Sequence, residues 1–329
     1  MQTADLFVYI LCNKTLICFC EREVVQYMKE NQWEIYNERY ANKRSKPINV
    51  VSKKAIQDSF ASIEDYLKAD VLVYYGEFLE GVENQVKRLV EDLVQSRSNG
   101  HRALYVVLTT TGGSLNPVKR IVDVLRHHYD EVCFIIPDYA YSAGTILCAS
   151  GDRIYMSYFS ALGPIDPQIV TKDNKIVSAL GYLDKIQEML EKAKNGTLTE
   201  VEFLILKDFD LAELRAYEQA KELAVDLLKT WLPKYKFKTW VKHKDGTDVT
   251  DEERVATAEE IAKELGSNNR WKSHGRSINM DELQELGLKI DDLQADDMLY
   301  KIVSEYHDMM LDYARKYDFR LFMQTRGFI

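Results

Sequence analysis

The sequence predicts an α/β fold in which a parallel sheet is covered by helices on both faces. Two observations carry that prediction. Short apolar runs alternate with helix-periodic segments over short connections through the middle of the chain, and the composition suits a buried core. The chain has 329 residues, 46% of them hydrophobic and 29% charged, with only 15 Gly and 6 Pro. At ~150 residues per domain this length allows about two domains, or one large core with appendages. Disordered and fibrous chains are excluded on composition. With 43 Lys plus Arg against 52 Asp plus Glu, the formal charge is -9. Such a surface repels phosphate backbones and anionic lipid, so no nucleic-acid partner is expected.

The elements follow in order. The apolar stretch 6–20 is interrupted by Asn13 and Lys14 and falls short of the ~20 apolar residues that span a bilayer. It also lacks the basic start and small-residue cleavage site of a secretory signal. It reads as two strands, 6–11 and 15–20. A polar, basic connector follows at 39–54, carrying Arg39, Lys43, Arg44, Lys46, Lys53 and Lys54. The first strand–helix unit pairs the apolar run 71–75 with Val82, Val86, Leu89, Val90, Leu93 and Val94, spaced at three and four. The second has a strand at 103–108, the loop Thr109-Thr110-Thr111-Gly112-Gly113, and a helix whose Val118, Ile121, Val122 and Leu125 share a face. The third runs from 132–136 through Pro137-Asp138 to the small-residue segment 142–149.

Beyond Gly163 the reading is mostly helical. Leu211, Leu214, Leu223, Leu227 and Leu228 recur at helical spacing until Pro233. Thr257 and Glu260 read as a capping box for a helix ending at Gly266. Another capped helix ends at Leu286-Gly287. A long final helix carries Met298, Leu299, Ile302, Val303, Tyr306, Met309 and Met310, a stripe that suits a core or a subunit interface. The five cysteines (Cys12, Cys18, Cys20, Cys133, Cys148) form an odd set without a C-x-x-C pair. They read as reduced core thiols of a cytoplasmic protein rather than a disulfide framework or zinc site.

Ligand chemistry in such a sheet belongs at the carboxyl ends of the strands. Two features fall there. Ser142, in Tyr139-Ala140-Tyr141-Ser142-Ala143-Gly144-Thr145, sits at the first turn of a helix, where free N–H groups and the helix dipole favour developing negative charge. The competing reading is a helix N-cap, a position that serine often fills. Gly112-Gly113 permits a sharp turn and leaves an N–H unshielded by a Cβ, as an oxyanion donor requires. No Gly-Lys-Ser/Thr follows it, so it is not a phosphate-binding P-loop. Neighbouring units can bring the Gly113 N–H, the Ala143 N–H and Ser142 Oγ around one carbonyl.

Three blocks carry a resemblance: Leu108-Thr109-Thr110-Thr111-Gly112-Gly113-Ser114, Tyr141-Ser142-Ala143-Gly144-Thr145, and Ala161-Leu162-Gly163-Pro164-Ile165-Asp166-Pro167-Gln168. Together they resemble the motifs of the Clp-fold serine peptidases, and within that group the serine dehydrogenase proteinase family, relatives of signal peptide peptidase A. Ser273-His274-Gly275-Arg276-Ser277-Ile278 and 282–288 are similar to the element that closes the core in those enzymes. The resemblance implies a ClpP/crotonase-like core of repeated ββα/βα units at 63–293 with a helical insertion at about 232–270. An N-terminal extension, 1–62, and a C-terminal helical tail, 294–329, flank it.

Carried over, the resemblance makes Ser142 the nucleophile and assigns the oxyanion hole to the Gly113 and Ala143 amides. The base is open. Clp peptidases proper place a His after the nucleophile helix, where 154–168 has none. Signal peptide peptidase relatives use a Lys, and Lys172, Lys175, Lys185 and Lys221 are available, with Lys185 and Lys221 kept as the alternatives. His274 is favoured because an imidazole needs little pKa adjustment to act near neutrality, whereas a lysine must be desolvated. Asp166 either orients that His or bonds its own turn.

The function expected is peptide-bond cleavage through an acyl-enzyme, with a peptide or protein as substrate, no cofactor or metal, no stable membrane insertion, and a homo-oligomeric assembly as in family relatives. Two alternatives remain. One is a non-catalytic Clp-fold scaffold that recruits a partner, and the other a crotonase-like acyl-CoA enzyme.

Overall fold

The structure, a computed structural model, describes residues 7–12, 15–20, 47–96, 102–165, 168–170, 176–207, 211–243, 245–273 and 275–327. They divide into two units, 1–55 and 56–329. The first contains an antiparallel pair, β1 (Phe7–Cys12) and β2 (Thr15–Cys20), with Phe7 opposite Cys20 and Cys12 opposite Thr15.

In the second unit the three expected strand–helix units alternate as the periodicity requires. After α1 (Pro47–Leu67), which begins in the first unit, come β3 (Asp70–Gly76), α2 (Val82–Gln95), β4 (Ala103–Thr109), α3 (Leu115–His128), β5 (Glu131–Ile136), β6 (Tyr139–Ala140), α4 (Ala143–Ala149) and β7 (Arg153–Met156). The chain continues through β8 (Ala161–Leu162), the antiparallel pair β9 (Gln168–Val170) and β10 (Ile176–Ser178), and helices α5 (Ala179–Lys194), α6 (Glu200–Lys207) and α7 (Leu211–Trp231). Then follow α8 (Asp251–Leu265), α9 (Asn268–Trp271), α10 (Met280–Glu285), β11 (Asp291–Asp292), α11 (Asp297–Tyr317) and β12 (Leu321–Gln324).

The central sheet has the order β11-β7-β5-β4-β3-β12. Five of its strands run parallel, and β12 returns antiparallel against β3. The inner strands are near-continuous buried apolar runs, which is how strands covered on both faces read. On one face Leu72, Val106, Leu108 and Phe134 pack with the buried stripes of α2, α3, α4, α7 and α8. On the other, Val71, Val73, Val107 and Ile135 meet Ile56, Phe60 and Ile63 of α1 and Val303, Tyr306 and Met310 of α11. The methionine-rich stripe of α11 is therefore core, with Met298 left exposed. Cys133 and Cys148 are buried free thiols. Burial pushes both pKa values up, that of Cys133 to about 12, which makes them poor nucleophiles.

Three sequence expectations change. The capping box of α8 is Thr250 with Glu253, both arms formed, and Thr257 and Glu260 lie inside the helix. The same T-x-x-E spacing occurs twice, and the acidic first turn Asp251, Glu252, Glu253 favours the earlier one by complementing the helix dipole. The C-terminal segment is not wholly helical, because β12 adds an edge strand to the central sheet. The stretch after Gly163 also holds two short strands, β9 and β10. Among the described residues no helix is long and apolar enough to cross a membrane.

Two polar contacts fasten the last elements to the sheet. Asp70, fully buried at the start of β3, accepts from Tyr129 Oη at 2.8 Å and pairs with Arg326, which also reaches Glu64 at 3.2 Å. On α11, His307 is buried and its Nε2 lies 3.0 Å from Thr109 Oγ1 at the end of β4. Burial lowers the His307 pKa to about 4, with Asp308 opposing and Arg315 adding to the shift. The folded state thus holds this imidazole neutral, while the unfolded chain protonates it near ~6.5. Its contribution is fully present above that value and is lost as pH falls from about 6.5 toward about 4, roughly 3 kcal/mol in all. Denaturant titrations at pH 7 and pH 5 should show about 2 kcal/mol of that loss, and His307→Gln should flatten it.

Candidate active site

A second, narrower ladder forms at the carboxyl ends of the strands. Thr110 bridges Ala140, β6 pairs with β8 so that Ala140 faces Leu162, and Leu162 bridges Ile278 in antiparallel fashion. The chain therefore presents Thr110, Ala140, Leu162 and Ile278 side by side, with Gly112 two residues after the first and Ser142 two after the second. This register brings the two sequence-predicted loops together.

The diglycine loop is held from one flank. Phe78 N–H donates to Gly112 O and Ser114 N–H donates to Phe78 O, each at 2.8 Å. Because the peptide between 112 and 113 is trans, the Gly113 N–H points away from Phe78. That is the flank on which Ala140 and Ser142 follow. Neither glycine can carry a side chain here. A Cβ at Gly112 would lie 2.9 Å from Ser142 Cβ and 3.3 Å from the Ala143 nitrogen, and one at Gly113 would lie 2.6 to 2.9 Å from the Phe78 backbone. Their φ values of 109° and 135° point the same way.

Ser142 occupies the N-cap position of α4 but does not cap it: φ is 53°, ψ is -115°, and its side chain makes no capping hydrogen bond. Positive φ at a non-glycine residue costs on the order of 1–3 kcal/mol and persists only where its surroundings over-determine it. Here they do. Tyr141 N–H donates to Thr110 O at 2.9 Å, Gly144 N–H donates to Tyr141 O at 2.8 Å, and the buried Thr145 hydroxyl bonds Ala140 O and the Gly163 backbone at 2.9 to 3.0 Å. Ser142 itself is half-buried. In the turn and loop hydrogen bonds among the described residues, neither the Gly113 nor the Ala143 amide is a donor. A half-exposed hydroxyl thus stands beside two unengaged amides, a set that can attack a carbonyl and hold the resulting oxyanion.

Among the described residues no candidate base hydrogen-bonds to Ser142. His274, with Asp166, Lys172 and Lys175, lies outside the described residues. Lys185 is exposed on α5 and paired with Glu188 at 2.8 Å. Lys221 lines a cavity of about 380 Å³ with Asp184, Glu259 and Lys263. His307 is engaged by Thr109 and His243 by Glu253 at 3.3 Å. Sequence reasoning missed Phe78 and the structural role of Thr145. Phe78 carries no motif, while Thr145 sits inside the serine block and its placement one helical turn after the elbow was the available signal.

This architecture is a Clp-like α/β fold. Residues 93–319, well over half of the chain, match the family of ClpP-like SDH-type serine proteinases, and the chain belongs to that family. Two uncharacterized proteins of Methanocaldococcus jannaschii are similar to it, one 30% identical over 187 residues and the other 27% over 186, each over 56% of this chain. The chain spans about half the length of these curated relatives, 52% and 51% respectively. A solved membrane-bound stomatin-specific protease aligns over 68% of this chain and 76% of its own at 13% identity, with a TM-score of 0.39. None of these comparisons supports the crotonase-like alternative.

Gly113→Ala should lower stability by at least about 2 kcal/mol, since a Cβ there meets backbone that cannot rotate away. Gly181→Ala, with nothing within 4 Å of the added Cβ, is the control and should melt no lower than the parent chain.

Proposed function

We propose that the chain is a serine peptidase in which Ser142 is the nucleophile and the Gly113 and Ala143 amides form the oxyanion hole. The observation that carries this reading is the uncapped Ser142 hydroxyl in a positive-φ turn, with the diglycine backbone packed against it. Ser142 Oγ attacks the peptide carbonyl as a base takes its proton, and the two N–H groups hold the tetrahedral oxyanion. Collapse expels the amine, which takes up that proton, and water then attacks the acyl-enzyme by the same route in reverse. His274 is the proposed base, with Lys185 and Lys221 as alternatives. The substrate is a peptide or protein segment, and the working form is a homo-oligomer.

A non-catalytic scaffold is the second reading. It is favoured by one observation: among the described residues no imidazole or lysine ammonium hydrogen-bonds to Ser142 Oγ.

A fluorophosphonate probe separates the two. Stoichiometric labelling of the intact chain, abolished in Ser142→Ala, is the expected result, and an unlabelled chain at every pH from 5 to 9 would falsify the peptidase reading. The base is read from the same assay. With His274 as base the labelling rate declines below about pH 6.5, and His274→Gln removes that decline together with most of the rate. Lys185→Met and Lys221→Met should leave both unchanged. Loss of the rate in a lysine variant instead would transfer the role to that residue.

A further inference from the structure

The register of the narrow ladder has a consequence one residue beyond its bridges. Ala140 runs parallel beside Leu162, and Leu162 runs antiparallel beside Ile278. Tyr141, Gly163 and Ser277 therefore line up as the next row. Tyr141 Oη and Ser277 Oγ are 2.8 Å apart. The tyrosine ring spans the strand between them only because that strand has no side chain at this point: a Cβ at Gly163 would lie 2.9 Å from Tyr141 Cδ1 and 3.2 Å from its Cβ. The ring is also braced on its other side by Tyr139, stacked at 4.9 Å.

Both ends of this contact matter. Tyr141 is bonded in sequence to Ser142, and its amide and carbonyl are the groups that fix the turn. Ser277 belongs to the segment that follows the proposed base. Upstream, that segment is anchored by the buried Trp271, whose Nε1–H donates to Glu264 O at 2.7 Å. Downstream, Ile278 exchanges two backbone hydrogen bonds with Leu162, at 2.8 and 3.0 Å. The polypeptide between Trp271 and Ile278 is thus pinned at its ends, and the tyrosine–serine contact is a side-chain link from this segment to the serine turn.

The geometry points to Tyr141 as a positioning residue that, through Ser277, sets the distance between the Ser142 turn and the segment 275–278. It acts through the backbone of the Ser142 turn. The inference rests on the peptidase reading and adds to it a specific link across Gly163. The contact is solvent-exposed and lies outside both apolar clusters, so removing it leaves the core packing intact. What it changes is the orientation of the Ser142 turn, on which rates depend steeply.

The test uses the full chain and a fluorophosphonate probe, measuring the maximal labelling rate, the half-saturating probe concentration, the pH profile and the melting temperature. Tyr141→Phe and Ser277→Ala should each slow maximal labelling by about tenfold or more with half-saturation and melting temperature unchanged. The double variant should be no slower than either single one, and Ser277→Thr, which keeps a hydroxyl, should recover most of the loss. A labelled parent chain whose Tyr141→Phe and Ser277→Ala variants match it in rate and pH profile overturns this inference alone. Variants slowed only in proportion to a lowered melting temperature also overturn it, since the contact is then merely structural. A parent chain that is not labelled at Ser142 overturns the peptidase reading and this inference with it.

Discussion

The arrangement around Ser142 depends on a steric constraint: no side chain fits at residues 112 and 113. Phe78 fills one flank of the loop with its backbone and Ser142 the other, so the diglycine backbone is the spacer between β3 and the turn into α4. Phe78 is itself immobilised, fully buried and stacked on Tyr74 at 4.9 Å. The free direction of the Gly113 amide follows from that packing and from peptide planarity rather than from any group that recruits it.

The positive φ of Ser142 belongs to the same system. A turn that costs conformational energy is maintained because Thr110, Tyr141 and Thr145 consume the backbone groups around it. Thr145 is buried, and its single hydroxyl ties Ala140, before the turn, to Gly163 just beyond β8. The hydroxyl of residue 142 is left out of these bonds, and that separates it from an ordinary capping serine. The neighbouring hydroxyl at Thr109 is treated differently. It is buried against a neutral imidazole beneath the sheet ends and has a packing partner in place of solvent.

Much of this was legible in the sequence, and the reasons are physical. Strands buried on both faces must be apolar throughout, so β3, β4 and β5 stand out. A loop with two successive glycines after such a strand marks a backbone that needs space, and a serine among Ala and Gly marks a helix start that is approached closely. The family resemblance rested on these same blocks. What the sequence could not convey is lateral register. Nothing in Phe78, Gly163 or Ser277 indicates that they flank the serine turn, because their roles arise from bridges between segments far apart in sequence. The two candidate capping boxes of α8 show the same limit locally, since identical spacing left the choice to the charge of the first turn. The strand β12 is four residues long, Leu-Phe-Met-Gln, too short for alternation to distinguish it from the end of a helix.

That short strand has a temporal implication. It pairs with β3, some 250 positions earlier in the chain, and Arg326 just beyond it neutralises the carboxylate at the foot of β3. During synthesis, β3 leaves the ribosome with one margin unpaired and Asp70 without its arginine, and stays so until residues 321–326 have been made. The nascent polypeptide therefore carries an open β edge while the residues between these two strands are made, the kind of surface to which chaperones bind.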